Sequence, residues 1–217
     1  GVPGRERVLG LHFFNPAPVM ALVEVVAAPA TGEQAVERAM ALIRSWGKIP
    51  VRCSDTPGFI VNRVNRPFTI EALRLLEADE ASIPAIDEAM RAAGFPMGPF
   101  ELMDLVGIDV NLAAARAVWE GLGRPDRLRP SPVQERLVER GALGRKTDRG
   151  FYVYGGGPAR INPDFGDAGP GGLDADAIVR RIREAIHREA TLAEADGVAS
   201  GDAIRLALRL GAGHPDR

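Results

Sequence analysis

The sequence predicts an α+β fold that is mainly helical, and three observations carry this prediction. Residues 1–54 alternate short β-branched runs with one helix-period segment, which is typical of the end of an α/β domain. Residues 55–157 have helical periodicity, which indicates a helical domain. After a linker at residues 158–172, residues 173–217 repeat the start of that helical part, so we predict a partial second copy.

Composition narrows the class of protein. The 217 residues contain 27 Lys and Arg against 29 Asp and Glu, and the net charge of −2 argues against a basic nucleic-acid surface. The single cysteine, Cys53, fits a reducing compartment, where it would be a small buried hydrophobic residue. No apolar run approaches the length of a membrane span. We expect a cytoplasmic protein that binds neither nucleic acid nor membranes.

The first part of the chain begins with two strand-like runs, at 8–14 and 22–26, on either side of Asn15-Pro16-Ala17-Pro18. A helix should follow, with Thr31 and Gln34 as a capping box and Gly47 at its end. Residues 48–52 read as a further short strand. This order of elements, without an opening strand, is that of the end of an α/β domain.

The helical part begins after Thr56-Pro57-Gly58. Apolar residues from Ile60 onward predict a helix to about Ala78, and Pro67 predicts a kink near Arg63, whose carbonyl loses its donor. Four more helices are predicted from residues typical of helix ends. Three of them run from Ser82 to Gly94, from Pro99 to Gly107 and from Ser131 to Gly141, and Asp109 caps the start of the remaining one. Residues 151–154 read as a terminal strand or an extended plug.

The repeat is visible at a shift of 118 positions, which aligns the first long helix with residues near the C-terminus. The residues that are identical in this register include Arg63 with Arg181, Glu71 with Glu189, and the helix cap Ser82 with Ser200. Because the register preserves a helix, its cap and the next helix, a tandem helical unit is the better interpretation.

His12 and Glu24 form the first candidate site. Glu24 interrupts an apolar strand, and a buried carboxylate is costly unless it is paired. If residues 15–18 turn the chain back, position 12 lies opposite position 24. An acidic partner on one ring nitrogen would make the other nitrogen a general base. A structural His–Glu pair within the sheet fits the same spacing.

Two further side chains could contact a ligand. Asn62 lies early in the predicted helix among apolar neighbours, where its amide could stabilise an oxyanion or could join two helices. Lys146 lies in a glycine-flanked turn, where it could meet phosphate or amide groups of a cofactor or be simply solvated. The sequence contains no metal-ligand cluster and no glycine-rich phosphate loop, and Gly155-Gly156-Gly157 lacks the flanking strand and helix of one.

Four motifs in order resemble the L-3-hydroxyacyl-CoA dehydrogenase family. These are residues 10–25 around His12 and Glu24, residues 55–63 around Asn62, residues 96–102, and residues 144–152 around Lys146. The likeness covers roughly residues 5–154 closely and residues 174–217 more loosely. The nearest likeness is to bacterial 3-hydroxybutyryl-CoA and 3-hydroxyadipyl-CoA dehydrogenases with a duplicated helical domain.

The resemblance implies the last strands and helix of a Rossmann-like NAD-binding domain, then an all-α 6-phosphogluconate-dehydrogenase-C-terminal-like domain and its partial second copy. It implies NAD-dependent oxidation of the 3-hydroxyl of an acyl-CoA, with His12 as base, Glu24 as its polarising partner, Asn62 near the reacting carbonyl and Lys146 near the cofactor. The family's serine N-terminal to the histidine and its nucleotide loop are missing, so we expect the chain to begin inside the nucleotide-binding domain. Asp148 stands where the family usually has Gly.

Under this resemblance we expect an acyl-CoA substrate, NAD, no metal, and a second copy of the chain bound through the helical domain as a homodimer. Two alternatives stay open. The 217 residues could be an interaction and dimerisation module that is inactive on its own, as the absent loop suggests. A related β-hydroxyacid dehydrogenase would use a lysine in place of the His–Glu pair.

Overall fold

The computed structural model describes residues 4–165 and 172–215, which form two compact units. Of these described residues, the first unit combines 4–65 with 188–215, and the second unit contains 66–165 and 172–187. The C-terminal part of the predicted second copy therefore belongs to the same unit as the strands.

The first unit contains a three-stranded sheet in the order β1-β2-β3. Its strands are β1 (Gly10–Phe13), β2 (Leu22–Ala27) and β3 (Ile49–Ser54). β1 is antiparallel to β2, and β2 is parallel to β3. Helix α1 (Glu33–Ser45) connects β2 to β3. A parallel pair needs such a crossover, which explains why the helix lies between these two strands.

The two faces of β2 are covered differently because successive side chains of a strand alternate. Val23 and Val25 pack with Val36 and Ile43 of α1. The opposite face carries Leu22, Glu24 and Val26, all buried. Helix α9 (Gly201–Ala212) packs against β2 and β3. Glu24 is therefore the one carboxylate in an otherwise apolar strand.

The prediction of a capping box at α1 is wrong. Gly32 is the N-cap residue, and the Thr31 hydroxyl accepts a hydrogen bond from the Ala28 amide and donates one to the Val8 carbonyl. Thr31 thus joins the segment before β1 to the loop before α1. The Thr31 hydroxyl, one position before the N-cap residue, therefore bonds to neighbouring loops and not to the first turn of α1.

The predicted long helix is divided into α2 (Val61–Val64) and α3 (Arg66–Glu77), with Asn65 in a turn between them. A break was expected because Pro67 cannot donate to the Arg63 carbonyl, and it lies two residues after the predicted position. The boundary between the two units also lies between Asn65 and Arg66. α2 also packs against α9.

The second unit is helical, as predicted. It contains α3, α4 (Ile83–Ala92), α5 (Pro99–Val106), α6 (Ile108–Gly121) and α7 (Pro132–Glu139). The predicted caps Ser82 and Ser131 accept hydrogen bonds from the backbone at the starts of α4 and α7. Asp109 is not the cap of α6: that position is held by Gly107, and the Asp109 carboxylate binds Lys146 instead.

The end of the second unit contains a small hairpin. Strand β4 (Tyr152–Val153) is antiparallel to β5 (Arg160–Ile161). The predicted linker therefore includes a short strand, and its residues 166–171 lie outside the described part of the chain. Helix α8 (Ala175–Ala195) follows and continues into the first unit.

Among the described residues, no helix combines the length and the apolar character that crossing a membrane requires.

Candidate active site

His12 and Glu24 face each other across β1 and β2. They are directly paired in the sheet register, as the spacing around residues 15–18 predicted. His12 Nδ1 lies 2.5 Å from Glu24 Oε2. The Glu24 side chain is fully buried, whereas 30% of the His12 side chain is exposed. The pair therefore has one end inside the protein and one end open to a ligand.

The second oxygen of Glu24 is held by the backbone. Oε1 accepts hydrogen bonds from the amides of Ile60, at 3.0 Å, and Val61, at 2.9 Å. These amides follow a tight turn in which Gly58 and Phe59 both have positive φ, of 81° and 47°. Three hydrogen bonds to one buried carboxylate offset the cost of removing it from water.

The contacts of Glu24 determine the orientation of the imidazole. Because a carboxylate can only accept, the Nδ1 atom of His12 carries the proton and Nε2 of the neutral ring is an acceptor. Within residues 4–165 and 172–215 no group hydrogen-bonds to Nε2. The ring is also flanked by Phe14, with centroids 4.7 Å apart, and by Phe59, at 5.6 Å. The arrangement presents a fixed proton acceptor beside apolar surface.

Asn62 lies on α2 directly after Val61, whose amide binds Glu24. Its side chain is half-buried, and its amide has no hydrogen bond to the residues that the structure describes. The Asn62 amide is thus available to a ligand. The alternative, a hydrogen bond between two helices, has no support in these contacts.

Lys146 lies in the second unit. Its Nζ atom is 2.5 and 2.7 Å from the two carboxylate oxygens of Asp109, and both side chains are partly exposed. The hydrogen bond from Lys146 lowers the pKa of Asp109. Asp148 in the same turn has φ of 55°, the left-handed conformation that glycine adopts most easily and Asp tolerates, so the turn forms without the family's glycine.

Two family models match adjacent parts of the sequence. Residues 1–56 match the NAD-binding domain of 3-hydroxyacyl-CoA dehydrogenases, and residues 58–154 match the C-terminal domain of the same enzymes. The chain belongs to the 3-hydroxyacyl-CoA dehydrogenase family.

The chain is also similar in sequence to individual members of the 3-hydroxyacyl-CoA dehydrogenase family. The chain is 56% identical over 150 residues to the 3-hydroxyadipyl-CoA dehydrogenase of Escherichia coli K12, covering 69% of this chain and 32% of that protein. It is 47% identical over 151 residues to the mitochondrial hydroxyacyl-coenzyme A dehydrogenase of Sus scrofa, covering 69% of this chain and 48% of that protein. The chain thus spans a third to a half of these relatives.

A solved structure from the 3-hydroxyacyl-CoA dehydrogenase family resembles nearly the whole chain. The crystal structure of a 3-hydroxybutyryl-CoA dehydrogenase from Escherichia coli K12 superimposes with a TM-score of 0.87 at 36% identity. The match covers 97% of this chain and 62% of that one. The similarity therefore extends into α8 and α9, beyond the residues that the two family models match.

Two buried carboxylates of the second unit were not predicted. Asp87 accepts hydrogen bonds from the Phe100 and Glu101 amides and from the Tyr152 hydroxyl. Burial raises the pKa of Asp87 to about 7 and, with Asp87 nearby, also raises the pKa of Tyr152. An acidic residue in the apolar face of a predicted helix was the available signal, but its partners are distant in sequence.

The second of these carboxylates, Asp104, makes the corresponding contacts one helix later. It accepts from the Phe151 and Tyr152 amides and from the Tyr154 hydroxyl. Burial raises its pKa, and burial beside Asp104 raises the pKa of Tyr154. Together Asp87 and Asp104 hold residues 151–154 against α4 and α5, so their role in this structure is to fix the second unit.

Cys53 is buried, as predicted. Burial, and the negative charges of Glu24 and Asp55, raise the pKa of its thiol to about 12. The residues that the structure describes include no group of three side chains able to hold a metal ion.

Proposed function

We propose that this chain is part of an NAD-dependent L-3-hydroxyacyl-CoA dehydrogenase, which oxidises the 3-hydroxyl group of an acyl-CoA to a 3-oxoacyl-CoA. The observation that carries the proposal is the His12–Glu24 hydrogen bond, which leaves Nε2 of His12 as an open proton acceptor. Membership of the family supplies the substrate class and the reaction.

In this proposal Nε2 of His12 takes the proton of the 3-hydroxyl group. Glu24 holds the ring in the tautomer that can accept and stabilises the imidazolium that forms. The buried contacts of Glu24 with the amides of Ile60 and Val61 keep the carboxylate in place while the charge on the ring changes. NAD supplies the hydride acceptor when it is bound.

Asn62 and Lys146 have supporting roles in this proposal. The free amide of Asn62 donates a hydrogen bond to the substrate oxygen near the reacting carbon, where negative charge develops. Lys146 contacts the cofactor, and to do so its ammonium group must exchange one of its contacts with Asp109 for the ligand. Because this pair is solvent-exposed, that exchange costs little.

The sheet of the first unit supports its assignment to an NAD-binding domain, although the sequence has no phosphate loop. In the described residues β1 pairs with β2 alone, so its other edge has unpaired backbone groups. Leu11 and Phe13 of β1 are exposed, and Phe13 stacks on the exposed Trp46. A sheet that continues past β1 would cover both features, which supports residues 1–54 as the end of the NAD-binding domain.

The remaining domain assignments are also proposals. We assign residues 55–157 to the helical substrate domain, 158–172 to a linker and 173–217 to a partial second copy. Two ion pairs support the duplication. Nε of Arg63 lies 2.8 Å from Glu189, and Nε of Arg181 lies 3.4 Å from Glu71. The shift of 118 positions converts one pair into the other with the copies exchanged.

We also propose that the helical domain binds a second chain to form a homodimer. An exposed apolar surface at the junction of α5 and α6, formed by Leu105, Val106 and Val110, supports this. The cytoplasmic location stays a prediction from the composition and the single cysteine.

The activity is tested on the natural protein that carries these 217 residues, supplied with NAD and 3-hydroxybutyryl-CoA or 3-hydroxyadipyl-CoA. NADH should form with at least one substrate, and His12→Ala should lower kcat by about 10²–10⁴-fold. Unchanged activity in His12→Ala would favour a β-hydroxyacid dehydrogenase with a lysine base. An inactive natural protein that still self-associates would favour the interaction module.

A further inference from the structure

The last helix of the chain approaches the proposed catalytic pair closely at Gly211. This residue lies inside α9, where glycine is less favourable than alanine. A methyl group at this position would lie 2.8 Å from Leu22 Cδ2, 3.1 Å from Val61 Cγ2 and 3.2 Å from Phe14 Cε1. The close approach of the backbone explains why a glycine stands there.

Each of the three residues that Gly211 meets is a direct neighbour of the pair. Leu22 shares the buried face of β2 with Glu24. The Val61 amide donates to Glu24 Oε1. The Phe14 ring lies edge-on to the His12 imidazole. A change in α9 that displaces these three side chains would therefore also displace His12 and Glu24.

Residues 188–215, the segment of the first unit that includes α9, also contact α2. Arg63, two residues after the Val61 amide, donates from Nε to Glu189 Oε1 at 2.8 Å and from an Nη atom to Asp196 at 2.5 Å. Arg63 and Glu189 are each only 1% exposed. A buried ion pair is sensitive to loss of one partner, so Glu189 constrains the position of α2.

β3 and the turn after α2 carry further contacts with this segment. The Ser54 amide donates to the Val198 carbonyl at 2.8 Å. Asn65 Oδ1 lies 2.7 Å from Nε2 of His214. The segment is thus attached along its length, from Glu189 to His214.

We propose that residues 188–215, the part of the second copy in the first unit, hold the His12–Glu24 pair in its reactive geometry, with Gly211 and Glu189 as positioning residues. The role in catalysis rests on the proposed function, whereas the effect on the geometry of the pair does not. This part of the second copy then belongs to the catalytic unit through its effect on the geometry of the pair.

The geometry is tested by ¹⁵N NMR of the imidazole rings in the 217-residue chain, whose three histidines can be assigned by single substitutions. Gly211→Ala should shift the ring-nitrogen resonances of His12 and reduce the fraction protonated on Nδ1. The matched control is Gly201→Ala in the same helix, where the three atoms nearest to the new methyl group all belong to the flexible end of Glu194. Unchanged His12 resonances in folded Gly211→Ala would overturn the proposal.

A second variant decides the question if Gly211→Ala does not fold. Glu189→Gln has the same size and keeps an oxygen for Arg63, so it tests the anchor with little change in packing. It should shift the His12 resonances, whereas Glu194→Gln, on the same helix but bonded to the Gly201 amide, should not. If Glu189→Gln leaves the His12 resonances unchanged, the anchor has no effect on the pair and the proposal is wrong.

Activity gives a separate measurement in the natural protein. Gly211→Ala should lower kcat by about tenfold or more with KM nearly unchanged, because a misplaced base affects the chemical step. A natural protein inactive on 3-hydroxyacyl-CoA would refute the proposed function, while the NMR comparison would still decide whether residues 188–215 position the pair.

Discussion

Glu24 and Val61 are joined by a hydrogen bond of 2.9 Å from a backbone amide to a buried carboxylate oxygen. The bond ties the middle of β2 to the start of α2, and the other oxygen of the same carboxylate binds His12. One side chain therefore fixes both the imidazole and the helix that carries Asn62. A change at Glu24 should act on the chemistry through the ring and on the fold through the amides.

Glu24→Gln separates these two effects. The amide oxygen can still accept from Ile60 and Val61, but the NH₂ group then faces Nδ1 of His12. Because that group donates, the ring must accept at Nδ1 and carry its proton on Nε2, where it is no longer a base. We expect kcat of the natural protein to fall by about 10⁴-fold, as for other bases held in the wrong tautomer. Steady-state kinetics measures this.

The control for this prediction is Glu33→Gln. Glu33 is an exposed carboxylate of the same unit that pairs with Arg52, so its loss should change kcat less than about twofold. Circular dichroism of both variants checks that the fold is retained. A Glu24→Gln enzyme with nearly normal kcat would mean that His12 does not need its acidic partner.

The sequence predicted the His12–Glu24 pair because the two residues lie in adjacent strands joined by a short connection. For two strands joined in this way, the position of the turn between them and the alternation of side chains are enough to place one residue opposite the other. The contacts of Glu24 with Ile60 and Val61 span 36 and 37 residues, and those of Arg63 with Glu189 span 126. Local periodicity carries no information about partners at such distances.

The same reason explains the errors at helix ends. Ser82 and Ser131 cap helices as predicted because their partners are within three residues. Thr31 and Asp109 have the residue types of caps but bind Val8 and Lys146, which only the folded chain brings near. Tertiary contacts thus replaced local ones where both were possible.

Cys53 should be chemically inert in the folded chain. Burial and nearby negative charge raise the pKa of its thiol to about 12, so very little thiolate is present near neutral pH. We expect no labelling by iodoacetamide over hours at about pH 8. Labelling should become complete in urea, which serves as the internal control, and mass spectrometry measures both. Rapid labelling under native conditions would mean that the strand opens locally at β3.

Gly144 should be intolerant of a side chain. Its φ is +95°, and a methyl group there would lie 2.3 Å from the Asp104 carbonyl oxygen. We expect Gly144→Ala to lower the free energy of unfolding by about 3 kcal/mol or more. Gly141 also has positive φ, +69°, but open space around it, so Gly141→Ala should cost only about 1–2 kcal/mol. Urea denaturation compares the two, and equal losses would contradict a steric cause.

Asp87 should make the stability of the protein depend on pH. Burial raises its pKa to about 7, while in the unfolded chain an Asp titrates near about 3.9. Between these values the folded state binds more protons than the unfolded state, so the contribution of Asp87 to stability is largest at low pH. It is lost as the pH rises through about 7. A difference of about three pKa units corresponds to about 4 kcal/mol.

Asp87→Asn isolates this contribution because an amide does not titrate. The free energy of unfolding of both proteins is measured in urea at several values between about pH 4 and pH 8. Relative to the variant, the native protein should lose stability as the pH rises, since its three hydrogen bonds then hold a buried charge far from solvent. The opposite result, in which the stability of the native protein rises relative to that of the variant as the pH rises, would contradict this prediction. The three hydrogen-bond donors would then outweigh the effect of burial on the carboxylate. Asp87 would be ionised over the whole pH range and would act as a charged cap of α5.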